Sequence, residues 1–88
     1  MTTITVFRIY PDGEVIALFP FERGSNVPGT CSSYMHTGQH GAADYAGVIR
    51  GTKPTGRGEH LPLLDELRRI GYDDIEMRRR RPARIARW

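Results

Sequence analysis

The stretch that decides the fold is TTITVFRIYPDGEVIALF, residues 2–19. Residues 2–10 are rich in β-branched and aromatic side chains with apolar groups on both faces, which is typical of a central strand. The tetrapeptide at 10–13, YPDG, supplies a proline with a preset φ and a glycine that accepts positive φ, as tight turns require. Residues 14–19 are nearly all apolar and end at Pro20, which cannot donate to a central ladder. The stretch therefore predicts a β-hairpin in the middle of a sheet.

The elements on the C-terminal side of this hairpin follow from composition and periodicity. Residues 20–30 are crowded with Pro, Gly, Ser and Asn, which predicts a long irregular connection. Thr30 to His36 predicts a third, more polar strand, and residues 42–50 favour a helical turn followed by a short edge strand. Residues 59–70 carry leucines at helical spacing and end at a glycine, so they predict a helix. Residues 75–78 alternate apolar and charged side chains and predict a final edge strand.

These elements predict an α+β fold of order β-β-β-(β)-α-β, with an antiparallel sheet of four or five strands and one helix packed on one face. The 88 residues suffice for one small domain. We assign residues 1–77 to that domain and residues 78–88 to an arginine-rich C-terminal tail. The net charge of +3 combines −3 in the domain and +6 in the tail. The basic character of the chain is therefore a property of its tail.

Cysteine content and hydropathy indicate the compartment. A single cysteine, Cys31, excludes an intrachain disulfide and suits a reducing cytoplasm. No apolar run approaches the roughly 18 residues of a membrane span. The first residues alternate threonine with apolar side chains instead of forming a basic and then an apolar segment, as a signal peptide does. We therefore expect a soluble protein of the host cell cytoplasm with no membrane partner.

Polar chemistry is densest in CSSYMHTGQHGAADY, residues 31–45. His36 and His40 have a spacing that places two imidazoles on one helix face, where Cys31 or Asp44 would complete a metal site. Two glycines inside the segment disfavour such a helix. The other interpretation is that both histidines form hydrogen bonds that fix the local backbone. We predict no metal and no cofactor.

An enzymatic interpretation uses the same histidines. His36 or His40 would act as general base and acid on RNA, because an imidazole exchanges protons near neutral pH, and Arg50 or a tail arginine would hold the phosphate. The spacing of these residues is not diagnostic of that reaction. Cys31 lies in a predicted strand, where a small buried thiol is the ordinary outcome. We predict that the protein is not an enzyme and keep a small histidine-dependent ribonuclease as the alternative.

The tail reads RRRRPARIARW, residues 78–88. Its arginines could neutralise phosphates, which makes binding to duplex DNA fall with salt at a logarithmic slope of up to about −5, and Trp88 could stack on a base. An arm of this composition equally suits an acidic protein surface. Contact with nucleic acid and contact with protein both stay open.

Two segments resemble a known family. VIALFP at residues 15–20 and CSSYMHTGQHGAAD at residues 31–44 resemble a family of small uncharacterised proteins of phages, plasmids and other mobile elements, and LDELRRIGY at residues 64–72 looks like the helix end of that family. The family has no assigned reaction, so no catalytic residue is carried over. The resemblance implies an accessory protein that binds and blocks host machinery, as anti-CRISPR proteins of this size do.

The functional prediction is a non-enzymatic binding protein that inhibits a host nucleoprotein complex, namely an anti-CRISPR protein that blocks target-DNA binding by a CRISPR effector. Inhibition of this kind needs an interface of roughly 800 Å² per partner. A small basic nucleic-acid-binding protein or ribonuclease toxin is the alternative. Because aromatic and arginine side chains are the usual interface anchors, the predicted partner-binding residues are Tyr34, His36, Gln39, His40, Asp44, Tyr45, Arg78, Arg79, Arg80 and Arg81.

Overall fold

The structure, a computed structural model, describes residues 2–36 and 39–78 of the chain. The elements in chain order are β1 (Thr3–Ile9), β2 (Val15–Arg23), β3 (Thr30–Met35), β4 (Gln39–Asp44), α1 (Tyr45–Gly51), β5 (Lys53–Pro54), α2 (Leu61–Arg69) and β6 (Ile75–Met77). The predicted α+β class is confirmed, as are the third strand and the helix. Arg79, Arg80 and Arg81 of the predicted binding set lie outside the described residues.

The strands form one sheet of order β4-β3-β2-β1-β5, in which neighbours are antiparallel. The sixth strand, β6, pairs with the start of β1 in parallel, with Ile75 opposite Thr3. The antiparallel sheet packed against a helix is therefore as predicted. The sheet has six strands where four or five were predicted, and one of them, β5, is only two residues long.

The predicted central hairpin is present. The N–H of Gly13 donates to the carbonyl of Tyr10 at 2.9 Å, and the N–H of Tyr10 donates to the carbonyl of Glu14 at 2.8 Å. Gly13 has φ of 93°, a conformation that side-chain-bearing residues rarely adopt. The turn sets the pairing of Ile9 with Val15 and so the register of the two central strands.

The strand that follows the turn is longer than predicted. β2 continues through Pro20 to Arg23, and its register with β3 shifts between Phe19 and Arg23. At such an irregularity one residue does not need to donate to the ladder, so proline is tolerated there. The irregular connection predicted from residue 20 therefore begins only after Arg23.

The prediction for residues 42–50 was wrong in its order. The segment Gln39–Asp44 is strand β4, and helix α1 follows it. Ala43 and Tyr45 are buried in a cluster with apolar residues of β1, β2 and β3, and Val48 and Ile49 of α1 pack against that cluster. This burial joins residues far apart in the chain, so the local pattern of residues 42–50 did not reveal it.

Helices cover both faces of the sheet. On one face, Leu63, Leu64 and Leu67 of α2 pack against Phe7, Ala17, Phe19 and Tyr34. On the other face, α1 packs against the cluster that contains Cys31. The single helix predicted on one face is present, and α1 adds a second layer that the sequence did not indicate.

Arg8 holds α1 against the sheet. It is buried, and its Nη2 donates to the carbonyl oxygens of Thr52 at 2.7 Å and Ile49 at 3.1 Å, while its Nε donates to Thr52 Oγ1 at 3.0 Å. Carbonyl groups at the C-terminal end of a helix carry partial negative charge and lack helical partners. The guanidinium satisfies them and fixes the end of α1 to β1.

Cys31 provides a test of the buried core. Burial raises the pKa of its thiol from 9.0 to about 11, although a backbone hydrogen bond with Phe19 opposes the shift. Because the native state holds this proton more tightly than the unfolded state, the associated stability is complete below pH 9.0 and is lost as the pH rises toward about 11.

We therefore expect Cys31 to resist an aromatic disulfide reagent at neutral pH until urea unfolds the protein. In Cys31→Ala, the unfolding free energy should decline less steeply between pH 9.0 and about 11 than in the parent protein. Labelling of the folded protein at the rate of a free thiol would contradict this burial.

Candidate functional site

Five side chains from β3, β4, α2 and the segments beside them meet on the α2 face of the sheet. We call them the Glu66 cluster, which consists of Tyr34, His36, His40, Glu66 and Tyr72. The register of β3 and β4 places Tyr34 opposite His40. Glu66 lies on α2 next to the buried Leu67, so packing of the helix brings its carboxylate to the strands.

The Glu66 carboxylate accepts hydrogen bonds from two side chains at the end of β3. Its Oε2 accepts a hydrogen bond from the Tyr34 hydroxyl, and its Oε1 lies 2.6 Å from His36 Nδ1. The Glu66 side chain is 12% exposed, whereas that of His36 is 76% exposed. Hydrogen bonds to a carboxylate are stronger than those between neutral groups. The carboxylate therefore connects α2 to the end of β3 and holds an exposed imidazole in place.

Aromatic contacts bring His40 into the same cluster. Its ring packs against the edge of Tyr34 with centroids 4.7 Å apart, and its Nε2 lies 3.4 Å from the Tyr72 hydroxyl. Tyr72 in turn stacks on Phe19 at 5.2 Å. Burial, and secondarily the carboxylate of Glu22, raise the pKa of the Tyr72 hydroxyl.

The structure brings some predicted binding residues together and separates others. Tyr34, His36 and His40 are neighbours in the cluster, and Gln39 lines a cavity with His36. Tyr34 and Tyr45 are buried, so neither offers surface to a partner, and Tyr45 lies on the opposite face of the sheet. Binding by the exposed members of the set stays a prediction.

The two remaining predicted residues with described positions lie away from the cluster. Asp44 is exposed at the far end of β4, where α1 begins. Arg78 is exposed, its Nε donates to Glu76 Oε2 at 2.5 Å, and its backbone N–H donates to the carbonyl of Thr5 at 2.9 Å. Arg78 therefore lies beside β1.

Glu66 and Tyr72 are site residues that sequence reasoning missed. Both lie in the segment at residues 64–72, whose pattern predicted only a helix and its end. For Glu66, the signal in the sequence was its position between Leu63 and Leu67. A carboxylate beside the buried stripe of a helix needs a hydrogen-bond donor from the surface that the stripe covers.

An open cavity of about 420 Å³ adjoins the cluster. Val15, Pro62 and Leu63 give it apolar lining, and its polar lining comes from His36, Gln39, Glu14 and Glu59. We call it the acidic cavity, because both fixed charges in this set are negative. Its size and mixed lining suit a long side chain with an apolar stem and a positive end.

A second open cavity, of about 640 Å³, lies on the other side of the start of α2. Arg57, His60 and Arg78 contribute to its lining, together with Phe7, whose ring centroid is 5.3 Å from that of His60. We call it the arginine-lined cavity. The arginine-rich tail begins at its edge.

Arg50 and Cys31, which the catalytic and metal alternatives used, lie on the opposite face of the sheet from the histidines. Arg50 belongs to α1, so it lies across the sheet from His36 and His40 and does not form a phosphate site with them. Cys31 is buried on that same opposite face. Within residues 2–36 and 39–78, no three His, Cys, Asp or Glu side chains are grouped as metal ligands would be.

The comparisons with known proteins do not test the functional prediction. No family model matches the chain, and neither a curated protein nor a solved structure matches it. The resemblance to mobile-element proteins therefore stays a prediction. Neither described helix is long and apolar enough to cross a lipid bilayer.

Replacement of the central carboxylate tests the cluster. Glu66→Gln keeps the shape of the side chain but removes the charge that Tyr34 and His36 share, so we expect the unfolding free energy in urea to fall by about 1–3 kcal/mol. Asp65→Asn, which removes a neighbouring exposed charge of α2, should change it by less than about 0.5 kcal/mol. Equal effects of the two substitutions would contradict a specific role for Glu66.

Proposed function

We propose that this protein is a non-enzymatic binding protein that inhibits a host nucleoprotein complex, and that its target is a CRISPR effector. The observation that carries the proposal is the acidic cavity beside the Glu66 cluster. It combines an apolar lining from Val15, Pro62 and Leu63 with the carboxylates of Glu14 and Glu59.

This cavity suits an arginine side chain of the partner. The methylene stem would cover the apolar lining, and the guanidinium would pair with a carboxylate, an arrangement that gives directional and charge-assisted hydrogen bonds. Effector complexes line their target-DNA channel with basic side chains that hold phosphates. A protein that binds such an arginine side chain therefore competes directly with DNA.

The charge distribution supports the same partner. Residues 1–77 carry a net charge of −3 in a chain whose total is +3. Opposite charge on two surfaces steers their encounter and raises the association rate. The acidic domain would approach the DNA channel, while the arginine-rich tail would contact guide RNA or an acidic neighbour.

The Glu66 cluster gives the binding surface a fixed shape. His36, Gln39 and His40 are exposed, yet His36 is held by Glu66 and His40 packs on Tyr34. Side chains that are ordered before binding lose less conformational entropy when the complex forms. The cluster therefore has a supporting role in binding that does not require proton transfer.

The second candidate is a nucleic-acid-binding protein or a ribonuclease. The arginine-lined cavity favours it, because Arg57 and Arg78 are cationic and the tail continues from that point. A carboxylate that orients an exposed imidazole, as Glu66 orients His36, is also a feature of general-base catalysis. The two candidates differ in their dependence on the histidines and on the acidic cavity.

A competition assay separates them. A purified effector loaded with guide RNA is incubated with the protein, and binding of labelled target DNA is followed by fluorescence anisotropy at two salt concentrations. We expect saturable inhibition by the parent protein and at least a tenfold loss of potency for Glu14→Arg combined with Glu59→Arg, because both carboxylates that attract the partner's guanidinium become positive charges that repel it. Asp65→Arg on α2 is the control and should inhibit as the parent does.

Histidine substitution and tail deletion complete the assay. His36→Ala and His40→Ala should retain most of the inhibition, and removal of residues 78–88 should weaken it without abolishing it. Cleavage of RNA by the parent protein that disappears in both histidine variants would overturn the proposal in favour of the ribonuclease. Full inhibition by the Glu14→Arg, Glu59→Arg variant would show that the acidic cavity is not the binding site.

A further inference from the structure

The outer edge of β4 is open for pairing. β4 is the last strand of the sheet order and pairs with β3 on its inner edge. Among the described residues, no strand pairs with its outer edge. Five of its six residues are exposed, and the segment contains no proline or lysine, the residues that commonly protect edge strands. An edge of this kind binds another strand through its main chain.

The pairing pattern shows which backbone groups face outward. The N–H of Tyr45 donates to the carbonyl of Gly29 at 3.1 Å, across the continuation of β3 and β4. Antiparallel ladders alternate between residues that bond inward and residues that bond outward. His40, Ala42 and Asp44 therefore direct their N–H and C=O groups away from β3.

We infer that the partner of this edge is a second copy of the same chain, paired antiparallel to β4 with Ala42 on the two-fold axis. In a continuous antiparallel sheet, the side chains of directly opposed residues project from the same face. The two-fold axis of the dimer must therefore lie midway between a residue and the same residue of the other copy. In the Ala42 register, all three outward-facing residues of each copy form main-chain hydrogen bonds with the other copy. It also places small residues, Gly41 and Ala43, opposite each other.

This register is self-complementary in its polar side chains. His40 of one copy lies directly opposite Asp44 of the other, and the two-fold axis repeats the pair. The Asp44 carboxylate lies beside Gly47 of α1 without a capping hydrogen bond to the helix within the described residues, so it turns from α1 toward His40 of the second copy when the dimer forms. A carboxylate accepts a hydrogen bond from an imidazole directly opposite it, and polar cross-strand pairs of this kind stabilise a sheet. Asp44 of the second copy thereby contacts His40, a member of the Glu66 cluster. The dimer is an inference separate from the proposed inhibition.

Sedimentation of the full chain tests the dimer. We expect the parent protein to sediment with twice its chain mass of 10.0 kDa as its concentration rises. Ala42→Pro removes an outward N–H without breaking the β3 ladder, so it should be monomeric while its circular dichroism is unchanged. Asp44→Lys should raise the dimer dissociation constant about tenfold, whereas the charge-matched control Asp65→Lys on α2 should leave it unchanged.

A cross-linking variant keeps the inference falsifiable if Ala42→Pro fails to fold. Cα atoms of a hydrogen-bonded antiparallel pair lie about 5.5 Å apart, within the range of a disulfide. Ala42→Cys should therefore form a covalent dimer under mild oxidation, and Ala46→Cys, on the exposed side of α1, should not. Equal cross-linking of the two variants, or a single-chain mass of the parent protein at every concentration, would overturn the inference.

Discussion

The described structure depends on one constraint, namely that the carboxylate of Glu66 must find donors where the leucines of α2 bury against the sheet. A side chain that is only 12% exposed cannot rely on water. Tyr34 and His36 supply the donors, and both come from the end of β3. The helix is therefore fixed along its length by Leu63 and Leu67 and in its position on the strands by Glu66. The edge of the acidic cavity lies at this junction.

Helices α1 and α2 cover opposite faces of the sheet, and the two faces carry different residues. The α1 face holds Cys31 and Tyr45 in an apolar environment and has Arg8 as its main polar connection. The α2 face carries the Glu66 cluster and both cavities near the start of α2. Because β4 contributes Ala43 to one face and His40 to the other, a single strand at the sheet edge joins the core to the exposed histidines. This division explains why partner binding is proposed on one side of the molecule.

Local patterns were sufficient for the elements that depend on near neighbours. The YPDG turn, the β-branched first strand and the leucine spacing of α2 each specified their structure, because turn geometry and helical periodicity are short-range properties. β4 and α1 were not predictable in this way, since their apolar residues are buried by strands distant in the chain. The sequence indicated His36 and His40 as chemically important, but it could not pair His36 with Glu66, thirty positions away, or His40 with Tyr72, thirty-two positions away. The continuation of β2 through Pro20 was missed because a register shift is invisible before the partner strand is known.

We propose that the acidic cavity accepts an arginine side chain of a partner, and this can be measured on the isolated protein. The most direct measurement is a titration of the isotopically labelled protein with N-acetyl-arginine amide, followed by two-dimensional nuclear magnetic resonance of the backbone amides. We expect saturable chemical-shift changes concentrated at Glu14, Val15 and Leu63, and no such changes with the glycine analogue of the ligand. Shifts spread over exposed acids such as Asp73 and Asp74, with none at the cavity, would contradict it.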